Sequence, residues 1–298
     1  MGAMSGDDAL MPAPREIAGK MPFRASPTKL TLFRQCRRRY RFEYVERLGR
    51  RYKRARPHLV MGAHVHETLR VLYTRVPPDR RSPEIAERIL RRVWRTARVG
   101  FSSREQEAEF GQRALAMVRR FCALTDLRLD PLATERTHEA PLADAITLVG
   151  RVDRVHDDGK TLRVIDYKTG RRPGAGDDRS ASALQAGAYA HLVESNWRRP
   201  VSRVEMFYLT DGVKEGVEIN DATRHGTLED VRARVAEIVR EREFPPAPGP
   251  LCAHCDYLSL CDAGRAHLAR RRGGLNPEPD PSAGARRGRP PPAGDGES

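Results

Sequence analysis

Residues 150–170 read GRVDRVHDDGKTLRVIDYKTG, and their period decides the fold. Residues 146–156 and 161–168 alternate between apolar and polar as strands do, and Asp158-Gly159 between them is a hairpin turn signal. A two-residue turn there sets residue 157 opposite residue 160, so facing positions sum to 317. Asp153 then faces Val164, with Asp166 on the diagonal and Lys168 on the same sheet face. A three-residue turn would break this parity. Two carboxylates at that separation, about 7–8 Å at the backbone, repel unless they share a cation or one keeps its proton. Magnesium, a hard ion that prefers oxygen, suits such a pair. A lysine two residues after the second carboxylate can orient an attacking water and offset phosphate charge. An ordinary hairpin with a surface Asp–Lys pair has the same spacing. Against that stands the position of Asp166 at the end of an apolar run, Leu162, Val164 and Ile165, where a charge rarely sits without a reason.

Outward from this hairpin the period changes. Upstream, apolar residues recur every three or four positions. They predict a helix carrying Leu30, Phe33, Cys36 and Tyr40 behind caps at Ser26 or Thr28, and a second helix from about Val60 to Tyr73. A third carries Ile85, Ile89 and Val93, and a fourth Phe110, Ala114, Met117, Phe121 and Leu124. A strand is expected over 132–142. Downstream come a helix over about 181–194, strands over 201–209 and 213–219, and a helix over about 228–240. Helices, a meander, then helix and strand predict an α/β fold, a mixed central sheet flanked by helices with a helical insertion at about 80–130. Residues 1–25 and 272–298, rich in Gly, Pro and Ala, read as disordered tails around one domain over 26–265.

The 298 residues include 54 Lys and Arg against 40 Asp and Glu, which favours a polyanionic partner such as nucleic acid. Residues 29–56 concentrate twelve Lys or Arg with Tyr40, Phe42, Tyr44 and Tyr52 among them, a mixture suited to phosphates and to base stacking, or to a plain solvated helix face. No apolar run is long enough for a membrane span, and no secretory leader is legible, so a cytoplasmic protein is expected. Gly159-Lys160-Thr161 imitates a phosphate-binding loop, but Arg154 stands where that loop needs glycine.

Cysteine spacing adds a second chemistry. Cys252, Cys255 and Cys261 form C-x2-C-x5-C, a metal-ligand spacing in a chain with too few cysteines for a disulfide scaffold. Cys36, His254 and His267 are candidates for a fourth ligand, and spacing leaves zinc and iron–sulfur both open. Cys122 lies on an apolar helix face and reads as core.

The string Gly150-x-Val-Asp153-Arg followed by Val-Ile-Asp166-Tyr-Lys168-Thr-Gly resembles the core of the PD-(D/E)XK nuclease superfamily, RecB-like branch, with its restriction-endonuclease-like fold. Gly62-Ala-His-Val-His66-Glu-Thr-Leu69 resembles that branch's upstream G-x-x-x-H-x-x-L helix, with His66 aligned and His64 facing away. Gln185-Ala-Gly-Ala-Tyr189 resembles its Q-x-x-x-Y motif. The resemblance implies that Asp153 and Asp166 bind Mg2+ or Mn2+, joined by His66 and the backbone carbonyl of Tyr167, and that Lys168 is the catalytic lysine. It implies that Gln185 and Tyr189 serve DNA contact and site architecture. A remote N-terminal cysteine with the C-terminal motif resembles the iron–sulfur nucleases, AddB-type repair subunits and CRISPR adaptation nucleases, and so implies a structural 4Fe–4S cluster on Cys36, Cys252, Cys255 and Cys261. The expected activity is metal-dependent hydrolysis of DNA, as an exonuclease on single-stranded or frayed ends in repair or end processing, beside a separate helicase partner. A CRISPR adaptation nuclease, a non-catalytic DNA-binding subunit and an RNA-directed nuclease are the alternatives. Glu135, on the strand before the hairpin, faces the site in one reading but matches no motif.

Overall fold

A computed structural model describes residues 23–96, 99–143, 145–174 and 179–273. Contacts divide the chain at Pro245/Pro246 into two units, a boundary inside the single domain expected over 26–265. In the first unit β1 (Phe23–Ala25) leads into α1 (Pro27–Gln35), capped by Ser26, whose hydroxyl accepts from the backbone N–H of Lys29. The disordered tail expected over 1–25 is therefore wrong for its last three residues, which form a strand; residues 1–22 lie outside the described residues. The first helix also ends sooner than its apolar spacing predicts. Cys36 takes an extended backbone, φ −165° and ψ 109°, and splits α1 from the short α2 (Arg37–Tyr40) and the π-turn Arg41–Val45. A four-residue helix α3 (Gly49–Tyr52) follows.

Then come α4 (Pro57–Arg75), which carries His66, and the helical insertion expected over about 80–130, α5 (Pro83–Thr96) and α6 (Arg104–Ala123). The meander is β2 (Ala133–Ala143), β3 (Ile146–Asp157) and β4 (Leu162–Lys168); then come α7 (Ser180–Trp197), β5 (Val201–Tyr208), β6 (Val213–Glu218) and α8 (Asp221–Arg240). The last helix starts a full two turns before its apolar pattern does, because Asn220 caps it through Thr223 N–H at 2.9 Å. The second unit holds two 3-10 turns, Pro250–His254 and Leu258–Leu260, and α9 (Asp262–Gly273). Residues 272 and 273, expected in the C-terminal tail, belong to α9; the remainder of that tail lies outside the described residues.

The sheet is mixed, as expected. β3 is its longest strand and its pivot. Leu148 pairs with Ala140 of β2 on one edge and with Ala25 of β1 on the other; Arg154 pairs with Thr134 of β2 and with Ile165 of β4. β1 and β4 therefore share one edge of β3, at opposite ends. α7 carries the chain from β4 to parallel β5, and β6 returns antiparallel. Alternation along β4 sends Leu162 and Val164 into a core with Leu30, Phe33, Leu184, Leu192 and Val231 of α1, α7 and α8. It sends Ile165 and Tyr167 to the other face, with Val65, Leu69, Leu72, Leu90 and Phe121 of α4, α5 and α6. Gly187 lets α7 and α8 touch, since a Cβ there would overlap Thr227.

One buried group of the sheet is set against acid. His156 on β3 is 5% exposed, and burial with the nearby cations Arg154, Arg163 and Lys214 pushes its ring down to about 3. The unfolded chain takes that proton near pH 6.5, so stability is full above that point and falls as pH drops from there towards 3. Urea denaturation should show the wild-type chain losing about 2 kcal/mol more than His156→Gln between pH 7 and pH 5. Equal losses would contradict this placement.

Candidate active site

The hairpin loop runs over four residues rather than two. Asp158 N–H donates to Thr161 O at 3.0 Å, Gly159 takes φ +86°, and Asp157 pairs with Leu162. Facing positions thus sum to 319 rather than 317. The parity survives because the shift is even, and the consequence is sharper than the expected diagonal: Arg154 faces Ile165, so one residue further Asp153 lies directly opposite Asp166. On the other edge Thr134 faces Arg154 and Arg136 faces Val152, which sets Glu135 opposite Asp153. Glu135, Asp153 and Asp166 therefore form one row across β2, β3 and β4. Glu135 holds a left-handed backbone, φ 49°, a conformation that costs a non-glycine residue on the order of 1–3 kcal/mol and that gathers at functional sites.

The carboxylates of the row are almost out of water, with side-chain exposures of 3%, 7% and 5% for Glu135, Asp153 and Asp166. At one end stands His66 of α4. Its Nδ1 is 2.8 Å from Glu135 Oε1 and 3.4 Å from Asp153 Oδ1. Gly62, one turn earlier, permits this approach: a Cβ there would sit 2.8 Å from Thr169 Oγ1, just beyond β4. His64, two residues away, turns from the site and packs on Trp94 at 5.0 Å between ring centres. Arg151 Nε meets Glu135 Oε2 at 2.9 Å, and Tyr167 N–H donates to Asp153 Oδ2 at 2.7 Å. The Tyr167 ring points to the opposite core, edge-on to Phe121.

At the other end Lys168 Nζ lies 2.7 Å from Asp166 Oδ2 and donates to Gln185 Oε1, also at 2.7 Å. Gln185 Nε2 donates to Asp166 Oδ1 at 3.1 Å and to the Tyr189 hydroxyl at 2.9 Å. Gln185 and Tyr189, four apart on α7, so act as one bracket over the lysine–aspartate pair. Gly150 of β3 admits the Tyr189 ring, since a Cβ there would stand 3.3 Å from it.

Electrostatics report what the row lacks. Burial works against charge on His66, yet the bonded carboxylates of Asp153 and Glu135 outweigh it and push the ring up to about 10. Burial raises the Asp166 carboxyl above its usual range, reinforced by Asp153 and opposed by Lys168. Burial, then the charges of Asp166 and Asp153, also raises the Tyr189 hydroxyl. A site that holds a proton this firmly on imidazole is short of positive charge. The ligand atoms of His66, Glu135 and Asp153 lie within 4.8 Å of one another, two oxygens and a nitrogen of the kind a divalent cation accepts. The donor set fits a metal. It differs from the expected one in that Glu135 belongs to it, while the oxygens of Asp166 are engaged by Lys168 and Gln185.

The expected cluster residues fall in both units. Cys36 sits at the α1–α2 break in the first unit, and Cys252, Cys255 and Cys261 in the second; none is in a disulfide. Within the second unit Cys252 Sγ accepts from Gly249 N–H and Cys261 Sγ from Gly264 N–H, each at 3.4 Å. A Cβ on Gly264 would stand 3.5 and 3.4 Å from these two sulfurs. Backbone donors aimed at sulfur suit thiolates that hold a metal. Cys122 is core, as expected, its thiol pushed up to about 12 by burial. In the basic arm Tyr40 and Phe42 are not surface stacking platforms: both are buried, Tyr40 against Phe33 and Phe244.

The sequence pattern of the PD-(D/E)XK nuclease superfamily matches residues 24–262. A CRISPR-associated exonuclease Cas4/endonuclease Cas1 fusion of Myxococcus xanthus (strain DK1622) is 34% identical over 145 residues, 46% of this chain and 25% of the fusion protein. The chain spans about a quarter of that relative's length. A candidate exonuclease of Eubacterium rectale, of known structure, overlays with a TM-score of 0.49 at 13% identity, over 81% of this chain and 86% of the other. The matched span contains the whole acidic row, His66, Lys168 and the α7 bracket, and the chain belongs to the PD-(D/E)XK nuclease superfamily.

Proposed function

We propose that the chain is a Mg2+- or Mn2+-dependent deoxyribonuclease of the RecB-like branch, acting on single-stranded or frayed DNA ends. The observation that carries this reading is the row of three buried carboxylates with His66 at one end and Lys168 at the other. Glu135, Asp153, His66 and, by the family resemblance, Asp166 and the Tyr167 carbonyl would hold the cation. A divalent ion there supplies Lewis acidity, making water a better nucleophile and offsetting charge on the phosphate. The chain's own groups do the rest. Lys168 presents an ammonium beside Asp166, within reach of a phosphate oxygen or an attacking water. Gln185 fixes the rotamers of both Lys168 and Asp166, and Tyr189 fixes Gln185. Contact of this pair with DNA is secondary to that bracing role.

The Myxococcus relative is named for CRISPR association, and this favours a second setting, trimming of DNA ends during CRISPR adaptation, over general repair. A retired DNA-binding subunit has no reason to keep Asp153, Asp166 and Lys168 together. A helicase partner, if the setting is repair, is a separate protein. We assign a 4Fe–4S cluster to Cys36, Cys252, Cys255 and Cys261, with a stapling rather than a catalytic role, on the sequence resemblance and the N–H donors to Cys252 and Cys261. Free thiols in this spacing suit a reducing, cytoplasmic compartment. Among the described residues no helix is long and apolar enough to cross a membrane.

With Mg2+ or Mn2+ and end-labelled single-stranded DNA, the wild type should cut. Lys168→Ala and Glu135→Gln should each lose roughly 10²–10³-fold in rate, and Gln185→Ala about 10–100-fold, with circular dichroism and DNA binding kept. Wild-type rates in Glu135→Gln would remove that residue from the site. For the cluster, anaerobically purified protein should be brown, with iron and sulfide in equal amounts and a broad visible absorbance that Cys255→Ser loses. Colourless, zinc-loaded, fully active protein would contradict the assignment.

A further inference from the structure

A cleft of about 470 Å³ leads away from Lys168 and Gln185, between α1 and the start of α7. Its size falls in the range of ligand sites, roughly 300–1,000 Å³. Thr28, Thr31 and Gln35, spaced to share one face of α1, line one wall; Ser182 of α7 faces them, and Arg39 of α2 closes the far side. The opposite face of α1, with Leu30 and Phe33, is anchored in the core, and Arg34 of α1 is bonded to Ser180 of α7, so the walls are fixed. The lining has hydroxyls, amides and two cations, and no carboxylate.

Arg39 stands out from its neighbours. Arg37 pairs with Glu237 and Glu241, Arg38 donates to the Phe244 carbonyl at 3.0 Å, and Arg41 meets Glu46 at 2.6 Å. Arg39 has no ion pair among the described residues, and its Nε is shut from water without a hydrogen-bond partner there. A buried guanidinium donor with no acceptor is costly unless a ligand supplies one. A phosphodiester matches it, since the planar fork bonds two phosphate oxygens at once.

We propose that this cleft carries the DNA strand next to the scissile phosphate, and that Arg39 is a positioning residue that grips an adjoining phosphate. The proposal rests on the nuclease reading above. It assigns a strand path at the site: from the acidic row past Lys168, across the threonine face of α1, to Arg39.

The test uses single-stranded oligonucleotides in which one phosphate at a time, on either side of the cleaved bond, is replaced by a neutral methylphosphonate. In wild type, neutralising one particular flanking phosphate should lower kcat/KM about tenfold or more. Arg39→Gln should raise KM by a similar factor with kcat little changed, and should be indifferent to that same replacement. Its binding should also depend less on salt, the log–log slope shallower by about 0.7. Arg39→Lys should recover part of the loss, and unchanged thermal unfolding excludes simple misfolding. Additive losses at every position, or an unchanged KM in Arg39→Gln, would overturn the proposal. If wild type binds but never cuts with either metal, the nuclease reading fails instead. The same oligonucleotide series, read by fluorescence anisotropy, then decides on Arg39 alone.

Discussion

Three carboxylates drawn out of water on adjacent strands repel one another, and much of the first unit is arranged around cancelling that repulsion. The low-dielectric interior makes each uncompensated charge expensive. His66 and Arg151 answer Glu135, the Tyr167 amide and His66 answer Asp153, and Lys168 with Gln185 answers Asp166. His66 lies on α4, Arg151 on β3, Tyr167 and Lys168 on β4 and Gln185 on α7, so the acidic row constrains where α4 and α7 lie. The glycines follow from that demand. Gly62 brings α4 down on the end of β4, where a Cβ would collide with Thr169, and Gly150 makes room for α7, where a Cβ would collide with Leu192 and press on the Tyr189 ring. The left-handed backbone of Glu135 is a local cost of completing the row.

The compensation is incomplete, and that residue of negative charge is the functional quantity. His66 keeps its proton far above its usual range because two carboxylates have no better cation. His66, Glu135 and Asp153 would hold a divalent ion only with the His66 ring deprotonated, and the ion would offset the charge of the carboxylates, so metal binding and relief of repulsion would be coupled. At the far end Lys168 is already tied to Asp166, which fixes an ammonium beside the row. Acidic row, lysine and the cleft that holds no carboxylate thus run from negative to positive charge.

Period and composition made the architecture legible: the helical insertion, the meander, the crossover helix and the mixed sheet all follow from apolar spacing. The placement of Asp153, Asp166 and Lys168 on one face was legible too, because parity depends only on whether the loop adds an even number of residues. The register itself was not. Asp158-Gly159 signals a turn but not its length, and the four-residue loop moved Asp166 from the diagonal to directly opposite Asp153. Glu135 faces the site in one reading of the sequence but matches no motif, and only the β2–β3 register sets it opposite Asp153. Cys36 interrupts a helix that its apolar spacing draws as continuous, since a backbone break leaves no trace in periodicity. Of the aromatics in the basic arm, Tyr40 and Phe42 turn inward, which composition alone does not separate from surface stacking.

The account turns on whether the acidic row is a metal site. The most direct measurement is anomalous scattering from crystals of the protein soaked in Mn2+, collected at the manganese edge. The expected result is a peak bounded by His66, Glu135 and Asp153, at coordinating distances of roughly 2 Å, and absent from Glu135→Gln crystals. A protein that cuts DNA with Mn2+ yet shows no peak there, or shows its peak elsewhere, would contradict the account.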